Sequence, residues 1–279
     1  MGKRLFYLFV FSNLFIAGCA VAMVAQTDTF LLHSSTNVYF IWFVFFSTTC
    51  SYSFHWWLTK DPVIFSPRVK WMETNRKMHG VLFIIGGIGA GIFFFYLFPY
   101  WKWLFLSAIM TFLYSAPKIP HPWFRALRKV ALGKTIFLAF VWTHVTTILP
   151  IIISGQDWKM EHTLFVVSRF FLVYAICILF DYRDRDDDKA NGVRSLITYL
   201  GEKGITVLFI FALTVFFAST LLLLRYDHEL SDIILLLLPG VITGALYNYA
   251  RRNFSDILYY FVLDGLMALS AILMLVAGI

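Results

Sequence analysis

The chain has 279 residues, of which 60% are hydrophobic, 19% aromatic and only 14% charged, with a mean hydropathy of +0.75. That composition excludes a soluble globular enzyme and describes a polytopic membrane protein. The net charge of +7 is accounted for by basic loops at an anionic leaflet or by an anionic substrate, without nucleic acid. Cys19, Cys50 and Cys177 all fall in apolar runs without paired spacing, which argues against disulfides and against zinc.

Nine apolar runs succeed one another, near 5–26, 37–57, 79–98, 101–117, 132–154, 162–180, 204–224, 231–250 and 255–278. In lipid the backbone must satisfy its own hydrogen bonds, so runs of this length are helices, and the predicted fold is all-α and a single domain. Alternating sides at each run collects nearly all Lys and Arg on the side of Lys3 and Arg4. Only Lys102, Lys159 and Arg225 fall opposite, and Arg169 falls within a span. By the positive-inside rule the N-terminus and the long loops after spans two and six are cytoplasmic.

In chain order, Asn13 in span one reads as interhelical glue or as a polar group facing a cavity. Span two closes in a polar run, Ser47 to Trp57. There His55 is either an interfacial side chain beside Trp56 and Trp57 or a hydrogen-bond donor to a diphosphate. The loop 58–78 is basic and reads as a short amphipathic helix over a site or as an ordinary juxtamembrane loop. Gly86, Gly87, Gly89 and Gly91 in span three allow close helix approach. Lys118, closing span four in Tyr114-Ser-Ala-Pro-Lys118, and Lys134, opening span five, are candidate diphosphate contacts, since a cation at a helix mouth pairs with phosphate oxygens. Arg169 and Asp264 are ionisable groups inside spans and so require a partner or an aqueous cavity.

The chemistry concentrates in 180–201. Asp181, Asp184, Asp186, Asp187 and Asp188 crowd the mouth of span six, and Asp181, Asp184 and Asp188 are spaced to share one helix face. Carboxylates held together repel unless a cation neutralises them, and hard oxygen ligands suit Mg²⁺, which prefers to share its remaining positions with substrate phosphates. A solvated mixed-charge loop is the competing reading. Arg183, Lys189, Arg194 and neighbouring Asn191, Gly192 and Ser195 interleave with and continue this cluster.

Asp181-Tyr-Arg-Asp184-Arg-Asp-Asp-Asp188-Lys-Ala-Asn-Gly192-Val-Arg194-Ser195-Leu resembles the second Asp-rich motif of the UbiA superfamily of intramembrane prenyltransferases, and Tyr-Ser-x-Pro-x-Lys at the end of span four agrees with it. The resemblance implies nine helices around a lipid-accessible central cavity, with cap loops after helices two and six. It also implies Mg²⁺ on Asp181, Asp184 and Asp188, Lys118 on a diphosphate, and transfer of an isoprenyl group to a lipophilic acceptor. No obligate protein partner is expected. Where the family carries a first motif, Asn-Asp-x-x-Asp-x-x-x-Asp, this chain has Ser51-Tyr-Ser-Phe-His55-Trp-Trp-Leu-Thr-Lys60-Asp61. That departure sets two expectations side by side: a prenyltransferase working with one motif, and a catalytically silent protein that binds a polyprenyl lipid or diphosphate as carrier, sensor or assembly partner. A transporter is a weaker third, because no inverted repeat or broken-helix pair is visible.

Overall fold

A computed structural model describes residues 2–59, 66–119, 121, 123–124, 134–190 and 195–278, with the backbone alone for Lys3, Pro117 and Lys134. Every regular element among them is helical. We label the helices α1 (Gly2–Phe11), α2 (Leu14–Leu31), α3 (Val38–Leu58), α4 (Pro67–Thr74), α5 (Arg76–Tyr96), α6 (Trp101–Ser115), α7 (Thr135–Ser154), α8 (Met160–Arg183), α9 (Arg185–Ala190), α10 (Leu196–Tyr199), α11 (Glu202–Leu222), α12 (Leu230–Ala250) and α13 (Leu258–Ala277).

Seven of these, α2, α5, α7, α8, α11, α12 and α13, are long and apolar enough to cross a membrane. The protein is therefore an integral membrane protein. The expected count of nine is not reached by that measure, for two physical reasons. α3 has the length but ends in the polar run Ser47–His55, and α6 is only 15 residues long before it tightens into a 3₁₀ turn at Ala116–Lys118.

α8 is the central post. Val173, Tyr174, Ala175, Ile176, Cys177, Ile178 and Leu179 are consecutive and all buried, as a helix apolar on every side must be when neighbours surround it. α7 and α11 pack along it, and α13 and α2 close the ring. α5 is the opposite case. Only His79, Gly86 and Gly89 are buried, and Val81, Ile84, Ile85, Ile88, Ile92 and Phe95 form an exposed apolar stripe that suits lipid. Of the glycines expected to allow close approach, Gly86 and Gly89 do so. A Cβ on Gly86 would meet the backbone N of Cys50 at 2.7 Å, so α3 and α5 touch backbone to backbone, whereas Gly91 faces open space.

Three π-helical turns interrupt the long helices, at Thr27–Leu31, His144–Ile148 and Leu258–Leu263. Two of them flank Arg169. Its Nη1 donates to Met23 O (2.8 Å), Thr146 O (2.9 Å), Thr27 Oγ1 (2.7 Å) and Thr147 Oγ1 (3.1 Å), and its Nη2 donates to Gln26 Oε1 (2.7 Å). Arg169 is 5% exposed and does not snorkel. It joins α8 to α2 and α7 through neutral oxygens, the partner that an intramembrane Arg requires.

Short local signals set the ends of the loop helices. Ser66 accepts from Val69 N with Pro67 at the first helical position of α4, and Ser195 and Thr198 cap α10 reciprocally. The loop does form a short helix, α4, but not an amphipathic one: its buried residues are Arg68, Val69 and Met72, a charge beside two apolar side chains, while Lys60 and Asp61 of the same loop lie outside the described residues.

Candidate functional site

A cavity of about 1690 Å³ opens between α2, α3, α4, α5, α6, α7, α8 and α13, at the end of the bundle that carries the Asp cluster. Its volume exceeds the usual few hundred to a thousand Å³ of a small-ligand pocket and suits a long apolar chain. Much of its wall is aromatic, including Phe43, Phe54, Phe83, Phe94, Trp142 and Phe180.

One polar wall is acidic. Asp181, Asp184, Asp187 and Asp188 all line the cavity, whereas Asp186 points outward, exposed. α8 does not run unbroken through them: it ends at Arg183, Asp184 is its C-cap, and α9 restarts at Arg185. The break is slight, because Asp184 N still bonds Phe180 O (3.0 Å) and Asp188 N bonds Asp184 O (2.9 Å). The predicted shared face survives it. Asp181, 5% exposed, accepts a hydrogen bond from Thr135 Oγ1. Asp184 Oδ1 accepts from Arg183 Nε at 2.8 Å. Burial first, and then the charges of Asp184 and Asp188, push the Asp187 carboxyl above the usual carboxylate range.

The other polar wall is basic and aromatic. Lys118 Nζ donates to Thr59 Oγ1 (2.6 Å) and stands 5.7 Å from the Trp56 ring centre. Arg68 enters from α4 and is 4% exposed. Its guanidinium lies 4.3 Å from the Trp56 ring centre and 3.8 Å from that of Tyr260. Its Nη2 donates to Asn13 Oδ1 (3.0 Å), and its backbone N donates to Asp256 Oδ2 (2.7 Å), a carboxylate at the N-terminal turn of α4. Burial pulls the Arg68 pKa down from the ordinary arginine value, and Tyr260 and Asp264 oppose that shift. Arg183 completes the wall, donating from Nη2 to Tyr260 Oη (2.7 Å), with its guanidinium 4.7 Å from the same ring.

Asn13 therefore serves as glue. It breaks the N-terminal helix with φ 70°, a left-handed conformation that Asn tolerates, and ties Ser53 of α3 to Arg68 of α4. It does not line the cavity. His55 does: its Nδ1 is 3.3 Å from Ser115 Oγ and its ring stacks on Tyr114 at 5.5 Å. Lys189 is exposed and outside the cavity wall. Arg194, Asn191 and Gly192 lie outside the described residues, as does the side chain of Lys134. Asp264 lines the cavity from α13, makes no hydrogen bond among the described residues, and faces the charges of Arg68 and Arg183.

The profile of the UbiA prenyltransferase family matches residues 59–272, most of the chain. The chain belongs to the UbiA prenyltransferase family. Membership brings with it a membrane prenyltransferase-like function, and UbiA enzymes generally use Mg²⁺ through Asp-rich motifs. No curated protein and no solved structure matches the chain significantly. Among UbiA features, the acidic wall is the one that the linear motif announced.

Two residues that line this cavity escaped sequence reasoning. Arg68 counted only as one positive charge in a cytoplasmic loop, and Tyr260 as one aromatic in an apolar span. Ser66-Pro67 immediately before Arg68 is a helix-start signal, and it was the one local hint that this loop folds over the site.

Proposed function

We propose that this protein transfers an isoprenyl group from its diphosphate to a lipophilic acceptor inside the cavity, with Mg²⁺ on the acidic wall. The observation that carries this reading is the pairing, in one large aromatic-lined cavity, of an acidic wall (Asp181, Asp184, Asp187, Asp188) with a basic wall (Arg68, Lys118, Arg183). The acidic wall offers Mg²⁺ the right type of donor, hard carboxylate oxygens. No group of three or more His, Cys, Asp or Glu disposed to hold a metal occurs among the described residues. Asp181, Asp184 and Asp188 line one wall without forming such a group, and they are the carboxylates that would have to converge on an ion bound there. When bound, it neutralises charge that develops on the departing diphosphate.

The chain's own residues supply the rest. Lys118 and Arg183 bring positive charge to the phosphate oxygens, and His55 adds a ring nitrogen at the same wall. The aromatic lining takes the isoprenyl chain and keeps water from the reacting carbon. The carbon–oxygen bond to the diphosphate breaks, a bond to the acceptor forms, and the acceptor gives up a proton. The polar walls lie at the end of the bundle that carries most of the basic residues, which supports a cytoplasmic orientation.

The test is turnover of radiolabelled isoprenyl diphosphates by purified protein in lipid, with and without Mg²⁺, with a membrane extract as source of acceptors. Diphosphate release that requires both Mg²⁺ and Asp184 supports the enzyme. A second reading, a silent binder of polyprenyl lipid or diphosphate, draws on α3, which offers Ser51, Tyr52 and His55 to the cavity and no carboxylate among its described residues. Saturable Mg²⁺-dependent binding without release would establish that second reading in place of the first.

A further inference from the structure

The basic wall is a ladder in which two aromatic rings each serve two cations. Trp56 lies 4.3 Å from the Arg68 guanidinium and 5.7 Å from Lys118 Nζ. Tyr260 lies 3.8 Å from Arg68 and 4.7 Å from Arg183. Three positive charges thus stand in sequence, Lys118–Trp56–Arg68–Tyr260–Arg183, along one side of a low-dielectric cavity. Cations so placed repel one another, and ring faces offset only part of that, at about 0.5–2 kcal/mol per contact. Arg68 is the central rung and is buried, yet its guanidinium makes a single hydrogen bond among the described residues, Nη2 to Asn13 Oδ1. A guanidinium has five N–H donors, so most of this buried group's capacity is uncommitted. Helix α3, which also carries Trp56, puts Ser51, Tyr52 and His55 at the cavity and offers no carboxylate among its described residues.

We infer that Arg68, with Lys118 and Arg183, grips the diphosphate oxygens directly, so that the site takes a single divalent ion per diphosphate and still binds the diphosphate when that ion is removed. This rests on the reading of the cavity as an isoprenyl diphosphate site. Planar guanidinium forks match phosphate oxygens in pairs, and a Lys adds a point charge, which is the arrangement the ladder presents. One wall would then hold the phosphates through a metal and the other without one.

The experiment is equilibrium binding of tritiated geranylgeranyl diphosphate to the full chain in nanodiscs, in Mg²⁺ and in EDTA, with geranylgeraniol as the control for lipid partitioning. Mn²⁺ bound per diphosphate is counted by electron paramagnetic resonance. The expected result is saturable binding in EDTA, about tenfold weaker than in Mg²⁺, and one Mn²⁺ per bound diphosphate. Arg68→Met is expected to remove the EDTA binding and Arg68→Lys to restore part of it. Because Arg68 also bonds Asn13, Lys118→Met is the parallel variant, expected to weaken EDTA binding about tenfold with an unchanged melting temperature. Binding in Mg²⁺ that vanishes in EDTA, or two or more Mn²⁺ per diphosphate, would overturn the inference and leave the proposed function standing. Absence of binding in both conditions would overturn the diphosphate site itself.

Discussion

Arg183 and Asp184, consecutive in the chain, form an ion pair at 2.8 Å across the end of α8, with the Arg183 side chain 11% exposed and that of Asp184 35% exposed. One carboxylate of the acidic wall is thereby already engaged by a cation of the basic wall, and Arg183 bridges onward to Tyr260. The two walls are joined at this residue pair. Substituting Asp184→Ala removes both a metal-ligand candidate and the partner of Arg183. The expected outcome is loss of Mg²⁺-dependent diphosphate release by at least about a hundredfold, or ~2.7 kcal/mol at 1.36 kcal/mol per decade. Radiolabelled release from purified protein checks it, and a requirement for Mg²⁺ that survives Asp184→Ala would remove Asp184 from the metal site.

Asp264 faces Arg68 and Arg183 without a hydrogen bond among the described residues. When ionised, its carboxylate offsets the ladder and competes with an incoming anion. Asp264→Asn leaves the volume unchanged and removes that competition, so diphosphate affinity in EDTA should rise by several-fold, up to about tenfold. Competition by unlabelled pyrophosphate reads this directly. A weaker affinity in the Asn variant would assign Asp264 a supporting contact instead.

Arg169 holds α2, α7 and α8 together through five donated hydrogen bonds. Intramembrane hydrogen bonds average ~0.6 kcal/mol each, and the two N–H groups of Nη1 are shared among four oxygens, so Arg169→Leu is expected to cost about 2 kcal/mol of stability. The melting temperature in detergent should fall by several degrees. An unshifted transition would mean that relief from burying the charge equals what the bonds contribute.

Gly86 sits where α5 meets the backbone of α3. Gly86→Leu forces the helices apart and is expected to cost about 1–3 kcal/mol. Gly91→Ala, which enters open space, should be neutral or slightly stabilising because Ala favours the helix. Comparison of the two melting curves decides whether the glycine run acts through close approach at 86 or through backbone flexibility along its whole length.

Helices, their approximate ends and the acidic cluster were legible in the chain because each is a local property. An apolar run in lipid has no alternative to helix, and Asp181, Asp184 and Asp188 share a face by helical spacing alone. Even the break of α8 at Asp184 altered the element and left the shared face in place. The glycine run of span three was legible as a place of close helix approach, although not that Gly86 is where the backbones meet.

What the linear order could not disclose was which distant residues meet. Whether Lys118 or Lys189 turned toward the cavity was undecidable from charge and position, since both sit at helix mouths and only Lys118 lines the wall. Arg68 is one charge among many in its loop until α4 folds back, Asp256 takes its backbone N–H and Tyr260 arrives from the far end of the chain. The sequence by itself determined an all-helical membrane protein of the UbiA type with one acidic wall, because backbone hydrogen bonding and side-chain periodicity act over a few residues. Only the tertiary structure decided that a basic, aromatic wall stands beside it, because burial of a guanidinium between two rings requires three separate helices to converge.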